Sequence, residues 1–162
     1  MSDQDLPEWK VVFYARLIEE LTALLKGERD LVANAANTAA LLYERLDQIN
    51  WVGFYFRRGE ELVVGPFQGR PACVRIGLGQ GVCGWAAAHR ATIVVPDVHE
   101  FPGHIACDAA SNSEIAVPMM VRDAVVGVLD LDSPVRGRFD SADREGLEQI
   151  VAVFVRSTDI IA

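Results

Sequence analysis

Three acidic residues in the second half of the chain are spaced so that they could share one site. Asp130 and Asp132 alternate with Leu129 and Leu131, so a strand here would place both carboxylates on one face. Glu114 opens a segment predicted to pair with this strand, which brings it within reach of the aspartates. Because neighbouring carboxylates repel, one of them should have a raised pKa. Such a cluster favours binding of a cationic ligand, or contains a protonated acid that can donate to an oxygen. The alternative is that Asp130 and Asp132 are two solvated acids at a strand end.

The cysteines Cys73, Cys83 and Cys107 offer a second kind of chemistry. A thiolate is a nucleophile, although an isolated cysteine is more often a small buried hydrophobe. An odd number of cysteines argues against a structural disulfide framework. No C-x-x-C hook is present, so the sequence predicts no metal site, and no cofactor is expected. His104, three residues before Cys107, is interpreted as a solvated loop residue.

Two aromatic residues mark one face of a predicted strand. Trp51 and Tyr55 share that face, and the positions that alternate with them between residues 52 and 56 are also apolar. One face of such a sheet packs on helices, so the apolar residues of the other face must be buried against a different part of the protein or line a pocket. Trp51 and Tyr55 are therefore candidate walls of a closed pocket.

The glycine-rich run at residues 77–84 resembles a phosphate loop only superficially. It lacks the Lys-Ser/Thr pair of a P-loop and the spacing of a dinucleotide fingerprint. A nucleotide site is therefore not predicted. Backbone N–H groups ahead of a helix could still bind a small carboxylate.

Hydrophobic periodicity indicates the elements that position these residues. Helices are predicted over residues 8–26, 30–46, 85–89 and from Phe139 onward. The last helix is expected to have Asp140 or Ser141 as its cap, and to bury an apolar stripe that ends at Ile161. The first helix is expected to bury a stripe that includes Trp9, Val12 and Leu24. Six strands are predicted, over 51–56, 61–67, 73–76, 92–95, 114–121 and 124–132. Residues 57–60 are predicted as a four-residue turn, 96–112 as a long irregular segment.

Tight connections favour antiparallel pairing, and helices at both chain ends can meet on one face of a sheet. We therefore predict an α+β fold with a central antiparallel sheet of about six strands, terminal helices on one face and a ligand pocket on the other. The chain is predicted to be a single domain over residues 1–162, with 1–7 a flexible tail.

Composition excludes several classes of function. The chain has 162 residues, 51% of them hydrophobic, and a formal net charge of −8. That charge opposes binding to nucleic acid, which requires a basic surface, and to anionic membranes. No apolar segment is long enough to span a bilayer, and the first ten residues do not resemble a secretory signal. A cytosolic location is expected.

Four segments together resemble the free methionine-(R)-sulfoxide reductases, a family of GAF-domain enzymes. They are residues 51–55, residues 81–84, the Cys107 loop with residues 113–118, and residues 127–133. The spacing of the three cysteines matches that family. Together with the three acids, this spacing is the specific part of the resemblance.

The resemblance implies a GAF fold and reduction, at sulfur, of the R epimer of free methionine sulfoxide. Cys107 matches the catalytic cysteine and Cys73 the usual resolving cysteine, while Cys83 matches a third cysteine whose role is less settled. The implied protein is a cytosolic homodimer whose disulfide is reduced by thioredoxin.

The remaining site residues are assigned by the same resemblance. Glu114, Asp130 and Asp132 match substrate-binding acids, and Trp51 and Tyr55 match pocket aromatics. From the residues alone, Cys73 and Cys83 cannot be ranked as the second thiol. Three acids near a thiol should also raise its pKa, and the sequence identifies no group that offsets them. The alternative functions are a non-catalytic GAF sensor of a small molecule and a structural dimer module.

Overall fold

The computed structural model describes residues 6–105, 107 and 109–161. Its helices are α1 (Glu8–Leu25), α2 (Leu31–Arg45), α3 (Gly81–His89) and α4 (Ser141–Arg156). Its strands are β1 (Trp51–Arg58), β2 (Glu61–Gly69), β3 (Arg75–Gly77), β4 (Ile93–Val95), β5 (Ser113–Val121) and β6 (Ala124–Ser133). A short 3-10 helix, Val98–Glu100, interrupts the long segment between β4 and β5. The predicted α+β fold is confirmed.

The strands form one antiparallel sheet in the order β3-β2-β1-β6-β5-β4. The two longest hairpins, β1–β2 and β5–β6, lie next to each other because β1 pairs with β6. The chain thus brings the predicted aromatic strand β1 and the predicted acidic strand β6 into direct contact at the centre of the sheet.

The two faces of the sheet have different partners, as the alternation in β1 predicts. Val52, Phe54 and Phe56 point toward α1, α2 and α4 and form the main hydrophobic core with the apolar faces of those helices. Trp51 and Tyr55 point the other way and pack in a second cluster that includes residues of α3. The terminal helices therefore cover one face, and the opposite face is left to build a pocket.

The predicted buried stripe of α1 is partly wrong. The predicted stripe residues that are buried are Leu17, Leu21 and Leu25. Trp9, Val12 and Leu24 are exposed, whereas Lys10 and Tyr14 are buried. The reason is a polar cluster beneath the helix. Lys10 Nζ lies 2.6 Å from Asp143 Oδ2, and Tyr14 Oη donates to Asp143 Oδ1 at 2.8 Å. Lys10 and Tyr14 are buried because they pair with this buried carboxylate, and they displace apolar residues from this part of the stripe.

Several predicted boundaries also differ from the structure. The hairpin turn is Gly59–Glu60 rather than residues 57–60, because Arg58 still pairs with Glu61 and Gly59 adopts a left-handed φ of 62°. Helix α4 begins at Ser141, with Asp140 as its cap. Phe139 precedes that helix, and Ile161 lies beyond its end and is 97% exposed. The first five residues of the predicted tail lie outside the described residues.

The differences near the site are small. Helix α3 begins at Gly81, four residues before the predicted start, and β3 covers Arg75–Gly77, so Cys73 lies in the irregular segment that precedes β3.

Among the described residues, no helix combines the length and apolarity needed to cross a membrane.

The buried cluster beneath α1 generates a stability prediction. Tyr14→Phe removes a donor from the buried Asp143 carboxylate without changing the shape of the ring. We expect a loss of about 1–3 kcal/mol in the free energy of unfolding, because the acceptor keeps its desolvation cost. Urea denaturation measures it. Tyr43→Phe, at an exposed position on α2, is the matched control and should change stability little; equal effects of the two variants would contradict the role given to Tyr14.

Candidate active site

A cavity opens on the face of the sheet opposite the terminal helices. The centre of a water-sized sphere can occupy about 50 Å³ within it. Trp51 and Tyr55 form part of its wall, and Cys107 lies at its rim, where that residue is exposed. Apart from Cys73, every predicted site residue lines this cavity: Trp51, Tyr55, Cys83, Cys107, Glu114, Asp130 and Asp132.

Strand register brings the three acids together. Glu114 on β5 is paired directly with Asp132 on β6, and Asp130 follows two positions away on the same face of β6. Directly paired side chains on one face of an antiparallel pair lie about 5 Å apart at Cβ. The sequence suggested that these three acids lie close together, and the pairing of β5 with β6 is the reason that they do.

Two of these acids are buried in the cavity. Glu114 is 6% exposed and Asp130 is 4% exposed. Burial raises the pKa of Asp130 well above its usual value, and the negative charges of Asp132 and Glu114 raise it further. The expectation that one of the clustered acids has a raised pKa is confirmed for Asp130. Its Oδ1 atom has no hydrogen-bond partner among the described residues.

The aromatic wall also holds the segment that carries Cys73. Trp51 stacks on Phe67 with ring centroids 5.2 Å apart, and its indole N–H donates to the carbonyl oxygen of Arg70 at 3.1 Å. Tyr55 Oη donates to the carbonyl oxygen of Cys73 at 3.0 Å. Two side chains from β1 thus fix the segment 70–73 at the edge of the cavity, where β2 has ended.

A disulfide joins Cys73 to Cys107, with Cα atoms 5.6 Å apart. The bond connects the fixed segment before β3 to the irregular loop before β5. Cys83 is left as a free, buried thiol in the first turn of α3. Of the two cysteines that the sequence left unranked, Cys73 and not Cys83 is bonded to Cys107.

Cys83 occupies the floor of the cavity beside the acids. Its Sγ lies 3.8 Å from Glu114 Oε1, as donor to that carboxylate. Burial raises the pKa of the Cys83 thiol, and Asp130, Glu114 and Asp132 raise it further. A thiol in this environment stays protonated near neutral pH and is a poor nucleophile.

His104 is a cavity residue that the sequence analysis did not identify. Its expected position as a solvated loop residue is wrong: the side chain is 16% exposed, lines the cavity, and places Nε2 3.7 Å from Glu114 Oε2. The signal available was its closeness in sequence to Cys107 and its place in a long irregular segment. That segment folds back over α3, where Ile105 packs near Gly81.

The glycine-rich run permits close packing at the start of α3. A Cβ atom on Gly84 would lie 2.5 Å from the carbonyl oxygen of Gly77, and the Gly79 N–H donates to the Gly84 carbonyl at 2.8 Å. Gly81, the first residue of α3, has a left-handed φ of 62°. The run therefore brings α3, and Cys83 with it, against the sheet.

Comparison with known proteins agrees with this architecture. Residues 26–154 match the GAF domain family. Free methionine-R-sulfoxide reductase of Escherichia coli (strain K12) is 56% identical over 143 residues, which cover 88% of this chain and 87% of that protein. A structure of free methionine-R-sulfoxide reductase from Neisseria meningitidis in complex with its substrate has a TM-score of 0.88 and 41% identity, covering 97% of this chain and 92% of that one.

A structure of fRMsr of Staphylococcus aureus in complex with substrate has a TM-score of 0.86 and 51% identity, covering 89% of this chain and 94% of that chain. The fold is therefore a GAF domain with its pocket on the free face of the sheet. Within that class, the chain belongs to the free methionine-(R)-sulfoxide reductase family. The names of these relatives support an oxidoreductase.

The buried acid cluster generates a prediction about pH. The unfolded chain loses the Asp130 proton near pH 4, whereas the folded protein keeps it because the folded pKa is raised. The native state then binds more protons than the unfolded state, so this group makes stability fall as pH rises above about 4, by at most about 1.4 kcal/mol per pH unit. Asp130→Asn should remove that slope.

Urea denaturation between pH 4 and pH 7 measures the effect. The stability of Asp130→Asn relative to the native sequence should increase with pH across this range. Asp47→Asn, at an exposed position after α2, is the control and should show no such trend. A pH-independent difference for Asp130→Asn would contradict a proton held on this carboxyl group.

Proposed function

We propose that this protein reduces free L-methionine (R)-sulfoxide to L-methionine through a cysteine sulfenic acid and an intramolecular disulfide. The observation that carries the proposal is the Cys73–Cys107 disulfide at the rim of a cavity that also holds three acids. Relatives with this name and substrate-bound structures of similar fold support the choice of substrate.

The cavity chemistry suits a free amino acid. Among the described residues that line it, none is Lys or Arg, so the acids are available to bind an α-ammonium group. The apolar surfaces of Trp51 and Tyr55 suit the methyl-sulfinyl end of the substrate. Backbone N–H groups would serve the α-carboxylate. Such a site selects a free amino acid, because a residue within a protein has no α-ammonium group.

In the first step, the Cys107 thiolate attacks the sulfoxide sulfur. The sulfur–oxygen bond breaks as the oxygen transfers to Cys107, and the oxygen takes up a proton from a carboxyl group of the cavity. The products are methionine and a Cys107 sulfenic acid, so the substrate sulfur is reduced by two electrons and the cysteine sulfur is oxidised by two.

The later steps regenerate the thiol. The Cys73 thiol attacks the sulfenic sulfur, which forms the Cys73–Cys107 disulfide and releases water. An external dithiol then reduces this disulfide by exchange. As the resemblance implies, we propose thioredoxin as that dithiol, and the exposure of Cys107 supports access by a protein. Dimerisation and a cytoplasmic location stay predictions.

Two cations can offset the acids during attack by Cys107. The first is the ammonium group of the substrate. The second is His104, which when protonated stands beside Glu114 at 3.7 Å. Either positive charge would favour a thiolate in the cavity against the three acids, and the sequence alone identified neither of them.

Cysteine variants test the proposed order of steps. Cys107→Ser should release no methionine under any condition. Cys73→Ser should release about one equivalent per chain and stop when thioredoxin is the only reductant, because its sulfenic acid has no partner to form the reducible disulfide. Methionine release by chromatography and trapping of the sulfenic acid with dimedone measure both outcomes.

Controls separate the enzyme from the alternative sensor. His99→Ala, at an exposed position outside the cavity, should turn over normally, and the S epimer should not react. A sensor would bind methionine sulfoxide without loss of thiols. Methionine release by Cys107→Ser would overturn the assignment of the nucleophile.

An acid variant tests whether the carboxyl groups of the cavity take part in binding and proton transfer. Glu114→Gln keeps the shape of the side chain and removes its charge, so kcat/KM should fall by about 10²–10⁴-fold. Glu61→Gln, at an exposed position on β2, is the matched control and should retain full activity in the thioredoxin-coupled assay. An unchanged kcat/KM for Glu114→Gln would exclude this carboxyl group from binding and proton transfer.

A further inference from the structure

At the floor of the cavity lie three side chains whose atoms could bind a metal ion. The proposed reaction does not require these three side chains to act together. Cys83 Sγ and one carboxylate oxygen each from Glu114 and Asp130 lie within 4.8 Å of one another, and all three residues are buried. They come from three elements, α3, β5 and β6, which the core holds in fixed relation. The arrangement is therefore preorganised, not assembled by mobile side chains.

A second observation points to a ligand at this place. Asp130 is 4% exposed, lines the cavity, and has a buried Oδ1 atom without a hydrogen-bond partner among the described residues. An unsatisfied buried acceptor of this kind costs free energy. A cation bound in the cavity would give that oxygen a partner.

The distance between Cys83 and Glu114 suits a small tetrahedral cation. Zn²⁺ binds sulfur at about 2.3 Å and carboxylate oxygen at about 2.0–2.2 Å, so two such ligands are separated by roughly 3.5–3.8 Å. Cys83 Sγ and Glu114 Oε1 are 3.8 Å apart. His104 Nε2, 3.7 Å from the other Glu114 oxygen, is placed at the edge of the same set.

We propose that Cys83, Glu114 and Asp130 form a binding site for a thiophilic divalent cation of the Zn²⁺ class. The sulfur donor and the small number of ligands favour such an ion over Mg²⁺ or Ca²⁺, which prefer six or more oxygens. Binding releases the Cys83 proton and the proton held on Asp130 to solvent, because both groups must be ionised to bind the cation. The sequence predicts no metal site because it has no C-x-x-C hook, whereas the three residues of this site are far apart in the chain.

The site has a consequence for activity, and this part rests on the proposed function. Glu114 and Asp130 cannot bind a cation and the substrate ammonium group at the same time. The cation and methionine sulfoxide should therefore exclude each other, so that the metal acts as a competitive inhibitor.

The experiment uses Co²⁺ as the probe and the full chain in its disulfide form. Cys83 is then the free thiol that remains, so a thiolate-to-cobalt absorption band in the near ultraviolet reports on this residue. We expect the band to appear on titration with Co²⁺ and to disappear when Zn²⁺ is added. Absence of the band at millimolar Co²⁺ would overturn the proposal.

Variants make the assignment specific. Cys83→Ser should abolish the band, and Asp130→Asn, which keeps the thiol, should weaken Co²⁺ binding by about tenfold or more because an amide is a poorer ligand than a carboxylate. His99→Ala removes the exposed imidazole that lies 2.8 Å from Asp97 and should change nothing. A band of equal strength in Cys83→Ser, or equal affinity in Asp130→Asn, would contradict the site.

Methionine sulfoxide separates the cation site from the proposed function. Its addition should release Co²⁺ and bleach the band. If the band forms but persists at saturating methionine sulfoxide, the cation site stands and competition for these acids is wrong. Methionine release, measured independently without metal, decides the proposed function in either case.

Discussion

Three carboxyl groups enclosed in one small cavity set the electrostatic constraint on this molecule. Glu114, Asp130 and Asp132 are brought together by the β5–β6 register, and two of them are nearly inaccessible to water. Like charges at this range cannot all be ionised at low cost. A proton, a substrate ammonium group or a metal ion each relieves the repulsion, and the proposed activities of the pocket follow from which of these is present.

The rest of the fold maintains this cavity. Period-two alternation gives each strand one side for the helices and one for the pocket, so α1, α2 and α4 can supply the main core without filling the site. The glycine-rich run lets α3 approach the sheet closely and places Cys83 beside the acids. The larger hydrophobic core thus lies on one face of the sheet, and the cysteines and acids of the cavity lie on the other.

Much of this organisation could be predicted from the sequence because alternation and helical periodicity are local. The strand faces of Trp51 and Tyr55, and of Asp130 and Asp132, depend only on period two. The burial of Lys10 could not be predicted in this way, because its partner Asp143 is in the last helix. His104 was missed for a similar reason: the loop that carries it has no periodicity, and only the fold shows that it turns toward Glu114.

The hydrogen bonds that Trp51 and Tyr55 make to the segment 70–73 have a further consequence. The same two side chains that wall the pocket also fix the backbone on which Cys73 is carried. A substitution at Trp51 or Tyr55 would therefore alter two things at once: the wall of the pocket, and the support of the backbone that carries one half of the disulfide.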